Sequence, residues 1–145
     1  MQKITPFLWF DGQAEAAAKF YTSIFRNSKI LSVSPMSATF QLAGQKFIAL
    51  NGGPQFKFTE AISFFVSCET QQEVDYFWKK LSAGGRPQQC GWLKDRFGVS
   101  WQIIPTILGE LLNDEDEAKS QRVMQAMLRM VKLDIRKLKA AGAGR

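Results

Sequence analysis

Residues 4–25 read ITPFLWFDGQAEAAAKFYTSIF, and residues 61–82 read AISFFVSCETQQEVDYFWKKLS. Each passes from an apolar, strand-like stretch into an amphipathic, helix-like one. Sliding the first onto the second by 57 positions sets Phe7 on Phe64, Phe20 on Phe77, Tyr21 on Trp78 and Ile24 on Leu81. Each unit then closes on a strand that follows a glycine, Gly44-QKFIAL and Gly98-VSWQII. A long period present only twice is not a solenoid, which needs three or more stacked units to bury its faces. The pattern predicts an α+β fold of two βαβββ modules in one domain spanning residues 1–145. Module one covers about 1–55, module two about 60–105, and a C-terminal helical extension about 106–140. Such a duplication leaves a cleft between its halves, and function is expected there.

Within module one, Ala16, Ala17, Phe20, Tyr21, Ile24 and Phe25 recur at helical spacing. Residues 29–34, 37–43 and 45–50 alternate as strands do, with Ala43-Gly44 as a hairpin turn. Asn51-Gly52-Gly53-Pro54 ends the module, because adjacent glycines and a proline do not continue a ladder. In module two, Thr70 and Glu73 form a capping-box pattern for a helix that presents Val74, Phe77, Trp78 and Leu81 and stops at Gly84-Gly85. Residues 88–94 and 99–104 read as strands around an Asp95–Gly98 turn. A short helix over 107–112 follows. The acidic run 114–117 then opens a longer helix whose apolar seam steps through Met124, Leu128, Val131, Ile135 and Leu138. The closing AAGAGR is expected to fray.

The net charge of +6 divides unevenly. Residues 1–118 carry 11 basic and 12 acidic groups, whereas 119–145 carry eight basic groups against Asp134 alone. A charge run of this kind reads as a solvated helix face, and no nucleic-acid-binding pattern accompanies it. No apolar run is long enough for a membrane span, and MQKITPF lacks a signal core, so the expected location is the cytoplasm with no membrane partner. Two cysteines, Cys68 and Cys90, make neither a disulfide framework nor a metal cluster.

The missing residues constrain the chemistry most. No histidine occurs, which removes the commonest general base, the usual partner of a nucleophilic serine or cysteine, and the commonest transition-metal ligand. No phosphate-cradling or dinucleotide loop occurs either, so no cofactor is expected. Asp11, Glu60, Glu69 and Asp95 sit at turns and read as capping or turn-making groups. Cys90 is a candidate thiol without an evident cationic neighbour. The aromatic set Phe7, Trp9, Phe64, Trp92 and Trp101 either lines an apolar pocket or fills the core. Gln102 is polar inside the apolar run 99–105, on the face opposite Trp101 and Ile103. It either reaches solvent or orients a ligand. The ligand-binding set expected is Phe7, Trp9, Phe64, Trp92, Trp101 and Gln102, with Asn51 at the rim. Alternation allows only one of Trp101 and Gln102 to face the cleft, and Gln102 is favoured.

The duplicated pattern resembles the vicinal oxygen chelate superfamily of glyoxalase I and bleomycin-resistance proteins. The strings ITPFLWFDGQAEAAAKFY, FIALNGGPQFKF, CGWLKDRFGVSWQIIP and KSQRVMQAMLRMVKLDI resemble its PhnB-like branch, some members of which carry the label 3-demethylubiquinone methyltransferase. The segment between Ile30 and Phe40 is shorter than the glycine-rich loop usual there. The resemblance implies metal-ligand positions at Pro6, Ser63, Ile48 or Ala49, and Gln102. Of these only Gln102 is a ready ligand, so no metal site is expected. The resemblance also implies a homodimer, often with exchanged modules. The functional expectation is a metal-independent protein that holds an apolar or aromatic small molecule between its modules. The alternatives are an enzyme on a small quinone-like substrate, and a ligand-free dimeric scaffold.

Overall fold

The computed structural model describes residues 2–145. The chain divides into two compact units, Met1–Phe58 and Thr59–Arg145. The first contains β1 (Phe7–Phe10), α1 (Ala14–Ile24), β2 (Lys29–Val33), β3 (Ser37–Leu42) and β4 (Gln45–Asn51). Its strands lie in the order β1-β4-β3-β2, with β1 parallel to β4 and the other pairs antiparallel. Ala14, Ala17, Ala18, Tyr21 and Ile24 form the buried stripe of α1. Small alanines let the helix approach the sheet closely, where Leu8, Phe10, Ala38, Phe40, Leu42, Phe47 and Ala49 are also buried. Ala43 (φ 49°) and Gly44 (φ 83°) both take left-handed backbone, as a two-residue hairpin turn requires.

The second unit contains β5 (Ser63–Cys68), α2 (Gln71–Ser82), β6 (Arg86–Pro87), β7 (Trp92–Lys94) and β8 (Ser100–Pro105). The order β5-β8-β7-β6 repeats the first sheet, again with its first strand parallel to its last. The capping box forms: the Glu73 N–H donates to Thr70 Oγ1 at 3.2 Å. Its carboxylate accepts from the Glu69 N–H at 2.8 Å, one residue before the cap itself. The mixed sheets with helices are the α+β architecture expected of two βαβββ modules.

Three local expectations change. Of the strand predicted over 88–94 only Trp92–Lys94 forms, as β7, with β6 lying just before that range, because Cys90 (φ 60°) and Gly91 (φ 83°) turn the chain. Their N–H groups donate to Met130 and Val131 carbonyls, at 2.8 Å each, outside the sheet. The short helix expected over 107–112 forms as α3 (Ile107–Leu112), but the longer helix after it is instead α4 (Glu117–Leu128) and α5 (Ile135–Gly142), so the seam through Met124 to Leu138 is not continuous. The break has a packing reason. Leaving the helix frees the Met130 and Val131 carbonyls and lets Leu133 reach full burial with Ile104, Leu108, Val123 and Leu138. Gln71 clamps the break, donating to the Leu133 carbonyl and accepting from the Ile135 N–H. Of the closing AAGAGR, α5 includes the first three residues, through buried Gly142. Arg122 holds this end by donating to the carbonyls of Ala141 and Gly142. Among the described residues, no helix is long and apolar enough to cross a membrane.

Candidate functional site

Each sheet has one face against its helix and one turned away, and strand alternation assigns every side chain to one of them. In the first unit Phe7 pairs with Ile48 and Trp9 with Leu50, on the face away from α1. Phe7 is 57% exposed there. Trp9 is held by three features. Its indole N–H donates to the Gly53 carbonyl at 2.9 Å, and its ring meets Phe56 edge-on at 4.9 Å. Gly52 lies directly against the ring, where a Cβ would come within 2.2 Å of the indole. The Asn51-Gly52-Gly53 stretch is therefore the seat of a tryptophan.

Asn51 has a different task from the rim position expected of it. It shares the helix-side face with Phe10, which brings its Oδ1 to the first N–H of α1, at Ala14, 2.8 Å away. Its Nδ2 donates to the Pro35 carbonyl. Gln13, the local cap residue, makes no side-chain cap, so a residue from the far end of β4 supplies it. The sequence signal was the lack of Ser, Thr or Asp at the start of this helix.

The second unit corrects two further residues. Trp101 is 3% exposed and belongs to the core. Its indole N–H donates to Asp95 Oδ2 at 2.9 Å, while Asp95 Oδ1 accepts from the N–H groups of Phe97 and Val99. Phe64 pairs with Trp101 on that same helix-side face, their ring centroids 5.3 Å apart. The face away from α2 carries Phe65, which pairs with Gln102 and is 60% exposed. The error is one residue. The 57-position shift fits the helices, where Ala17 and Val74, and Ile24 and Leu81, are buried counterparts. Strand pairing instead matches Phe7–Ile48 with Ser63–Ser100, and Trp9–Leu50 with Phe65–Gln102.

Gln102 is half-buried, between Trp92 on one neighbouring strand and Phe65 on the other. Its Nε2 donates to Ser63 Oγ at 2.9 Å. Ser100, two residues earlier on the same face, is 1% exposed, and its hydroxyl has no hydrogen-bond partner among the described residues. Beside it Lys94 pairs with Glu60 at 3.1 Å, and Glu60 also accepts from Gln88. The Lys94 hydrogen bond holds the Glu60 carboxyl below the usual carboxylate range. At the far end of this face Ile104 is covered by the C-terminal helices. Trp92, Phe65, Gln102, Ser63 and Ser100 thus form an amphipathic patch, of which the sequence reading had named Trp92 and Gln102. The partnership with Ser63 was not seen, because a lone serine in a strand carries no distinguishing signal.

A metal implied by the superfamily resemblance does not fit this chain. The positions equivalent through strand pairing are Phe7 and Leu50 in one unit, Ser63 and Gln102 in the other. One hydroxyl and one amide do not make a transition-metal site, and no cluster of three His, Cys, Asp or Glu side chains occurs among the described residues. A methyl-donor cofactor finds no seat either, since the turns into α1 and α2, Asp11-Gly12-Gln13 and Glu69-Thr70, are not glycine-rich phosphate or nucleoside loops. Cys68 is fully buried, and burial pushes its thiol up to about 12, so it is not a nucleophile.

The paired four-stranded sheets are those of the glyoxalase-like, vicinal oxygen chelate proteins. A family model described as 3-demethylubiquinone-9 3-methyltransferase matches residues 2–104, and the chain belongs to that PhnB-like family. A putative 3-demethylubiquinone-9 3-methyltransferase, PhnB protein, from Bacillus cereus is 38% identical, with a TM-score of 0.68 over 72% of this chain and 100% of its own. Two more distant structures show the fold alone. The fosfomycin resistance protein FosX from Listeria monocytogenes, complexed with Mn(II) and sulfate, is 18% identical with a TM-score of 0.52, over 70% of this chain and 88% of its own. A glyoxalase-related enzyme from Fulvimarina pelagi is 15% identical with a TM-score of 0.52, over 74% and 91%. No curated protein matches the chain.

Proposed function

We propose that this protein is a metal-independent small-molecule binder that holds an apolar or aromatic compound. The observation that carries this reading is the half-buried Gln102–Ser63 pair set between Trp92 and Phe65. Gln102 donates to Ser63, which leaves its own carbonyl oxygen to accept and the serine hydroxyl to donate, a combination suited to a carbonyl or hydroxyl on a flat ring. A substrate related to the quinone in the family description is the first compound class to try.

Thermal shift and calorimetry with a short-chain ubiquinone analogue test the reading. Gln102→Leu is expected to weaken binding by about 1–3 kcal/mol with the fold intact. Unchanged affinity in that variant would remove Gln102 from the site. Methyl transfer from adenosyl-methionine to a demethylated analogue would replace binding with catalysis. We also propose a homodimer, since large apolar side chains such as Phe7, Met36 and Phe65 are more than half exposed in one chain. Sedimentation equilibrium should give twice 16.4 kDa, and a mass of 16.4 kDa at micromolar concentration would refute pairing.

A further inference from the structure

The cations of the C-terminal extension are not spread evenly. A groove of about 730 Å³ runs along α4 and α5, and Arg122, Arg129, Lys137 and Arg145 line it with no acidic side chain among them. From residue 119 onward the only acidic side chain is Asp134, and it is engaged in capping α5 at the Lys137 N–H. Among the described residues the ion pairs take up Lys132, Lys94 and Lys19, none of which lines the groove. Ordinary helix stabilisation accounts for part of this charge, since Arg129 at the end of α4 complements its dipole. It does not account for Lys137, which lies in the first turn of α5 where a positive charge opposes the dipole. The groove floor is small and approachable, built from Ala126, Ala140 and Ala141. The extension also lies beyond residues 2–104, so the chemistry of the family's shared portion does not explain it.

We propose that this groove is a binding site for a phosphate-bearing small molecule with two or more negative charges, separate from the sheet-face site above. Guanidinium groups and an ammonium that line one groove from two helices complement phosphate oxygens in charge. The volume is that of a small-ligand pocket. A nucleic-acid track is disfavoured because residues 1–118 carry 11 basic and 12 acidic groups, which leaves no extended basic surface leading away from the groove. Arg122 builds the wall through its bonds to the Ala141 and Gly142 carbonyls, so the remaining cations are the ones to vary.

The test titrates the full chain with inorganic pyrophosphate by calorimetry at low ionic strength. Saturable one-to-one binding that weakens as salt rises is expected. Arg129→Gln with Lys137→Gln should weaken it at least about tenfold, whereas Arg136→Gln with Lys139→Gln, which removes the same charge from α5 outside the groove, should stay within about twofold. Independently of any variant, pyrophosphate should protect Lys137 but not Lys139 from an amine-reactive ester. Equal losses in the two double variants, equal labelling of the two lysines, or absence of saturation would overturn the proposal. So would a single-stranded oligonucleotide that binds more tightly than pyrophosphate.

Discussion

Where the first unit places Phe7, Ile48, Trp9 and Leu50 on the face turned from its helix, the second places Ser63, Ser100, Phe65 and Gln102 at the corresponding positions. On the helix side the two remain alike, with Ala17 and Ile24 matched by Val74 and Leu81 and every one of them buried. A close-packed interior tolerates little change in volume, so that side stays apolar in both units. The outer faces carry no such constraint, and one has become apolar while the other keeps a hydrogen-bonding pair. The tryptophans show the same division. Trp9 satisfies its indole N–H on the outer face through a backbone carbonyl, and Trp101 satisfies its own inside the core through a buried carboxylate.

Asp95→Ala probes the inner of these two arrangements and should have the largest effect. The carboxylate is 3% exposed and accepts from Trp101 Nε1 and from the Phe97 and Val99 N–H groups. Removing it takes this acceptor from three donors in and around the core, which should cost about 3 kcal/mol or more in urea unfolding. Asp95→Asn keeps an acceptor oxygen and should cost less. Equal losses in the two variants would mean that the carboxylate's charge, not an acceptor of its size, anchors Trp101.

Gly52→Ala makes the matching test of the first unit. The added methyl would come within 2.2 Å of the Trp9 indole, so the ring must move off its seat and away from the Gly53 carbonyl. A loss of about 1–3 kcal/mol is expected, with a change in tryptophan emission as the indole becomes more hydrated. Because Trp9 lies on an outer face that relaxes more readily than the core around Trp101, the loss should be smaller than for Asp95→Ala. A larger loss would show the outer face to be as tightly packed as the inner one.

The sequence made the helix faces plain because Ala17, Tyr21 and Ile24, like Val74 and Leu81, recur with helical spacing against polar neighbours. The Ala43-Gly44 turn and the Thr70–Glu73 cap were equally open to reading, since each rests on local backbone chemistry. The strand faces were not. FLWF and SFFV are apolar at every position or nearly so, and without alternation nothing in them says whether Phe64 or Phe65 turns outward. Ser63 and the helix-buried Val74 stand one residue further apart than their counterparts Phe7 and Ala17, and that single residue reverses the answer. The same limit hid the break between α4 and α5. Leu133 lies off the 4-3-4-3 seam, and only Asp134, an N-cap residue ahead of Ile135, signalled a new helix start. Gln102 was legible as a polar residue in an apolar strand, but its bond to Ser63 depends on pairing between strands far apart in the chain.

The smallest expected effect concerns the polar end of the second unit's outer face, which has no counterpart in the first. Glu60 is solvent-exposed and its carboxyl lies below the usual range because of its bond to Lys94, so the pair favours the folded state only while Glu60 is ionised. A lowered folded value means that this contribution is complete above the unfolded carboxylate value and is lost as pH falls through the folded one. Glu60→Gln keeps the side-chain size but has no charge to lose. Its melting temperature should therefore lie slightly below that of the parent protein at neutral pH and converge with it once the pH has fallen below the lowered Glu60 value. Solvent screening keeps the difference small, and added salt should shrink it further at neutral pH. A gap that persisted in acid would assign the effect to the hydrogen bond with Gln88 instead of the charge on Lys94.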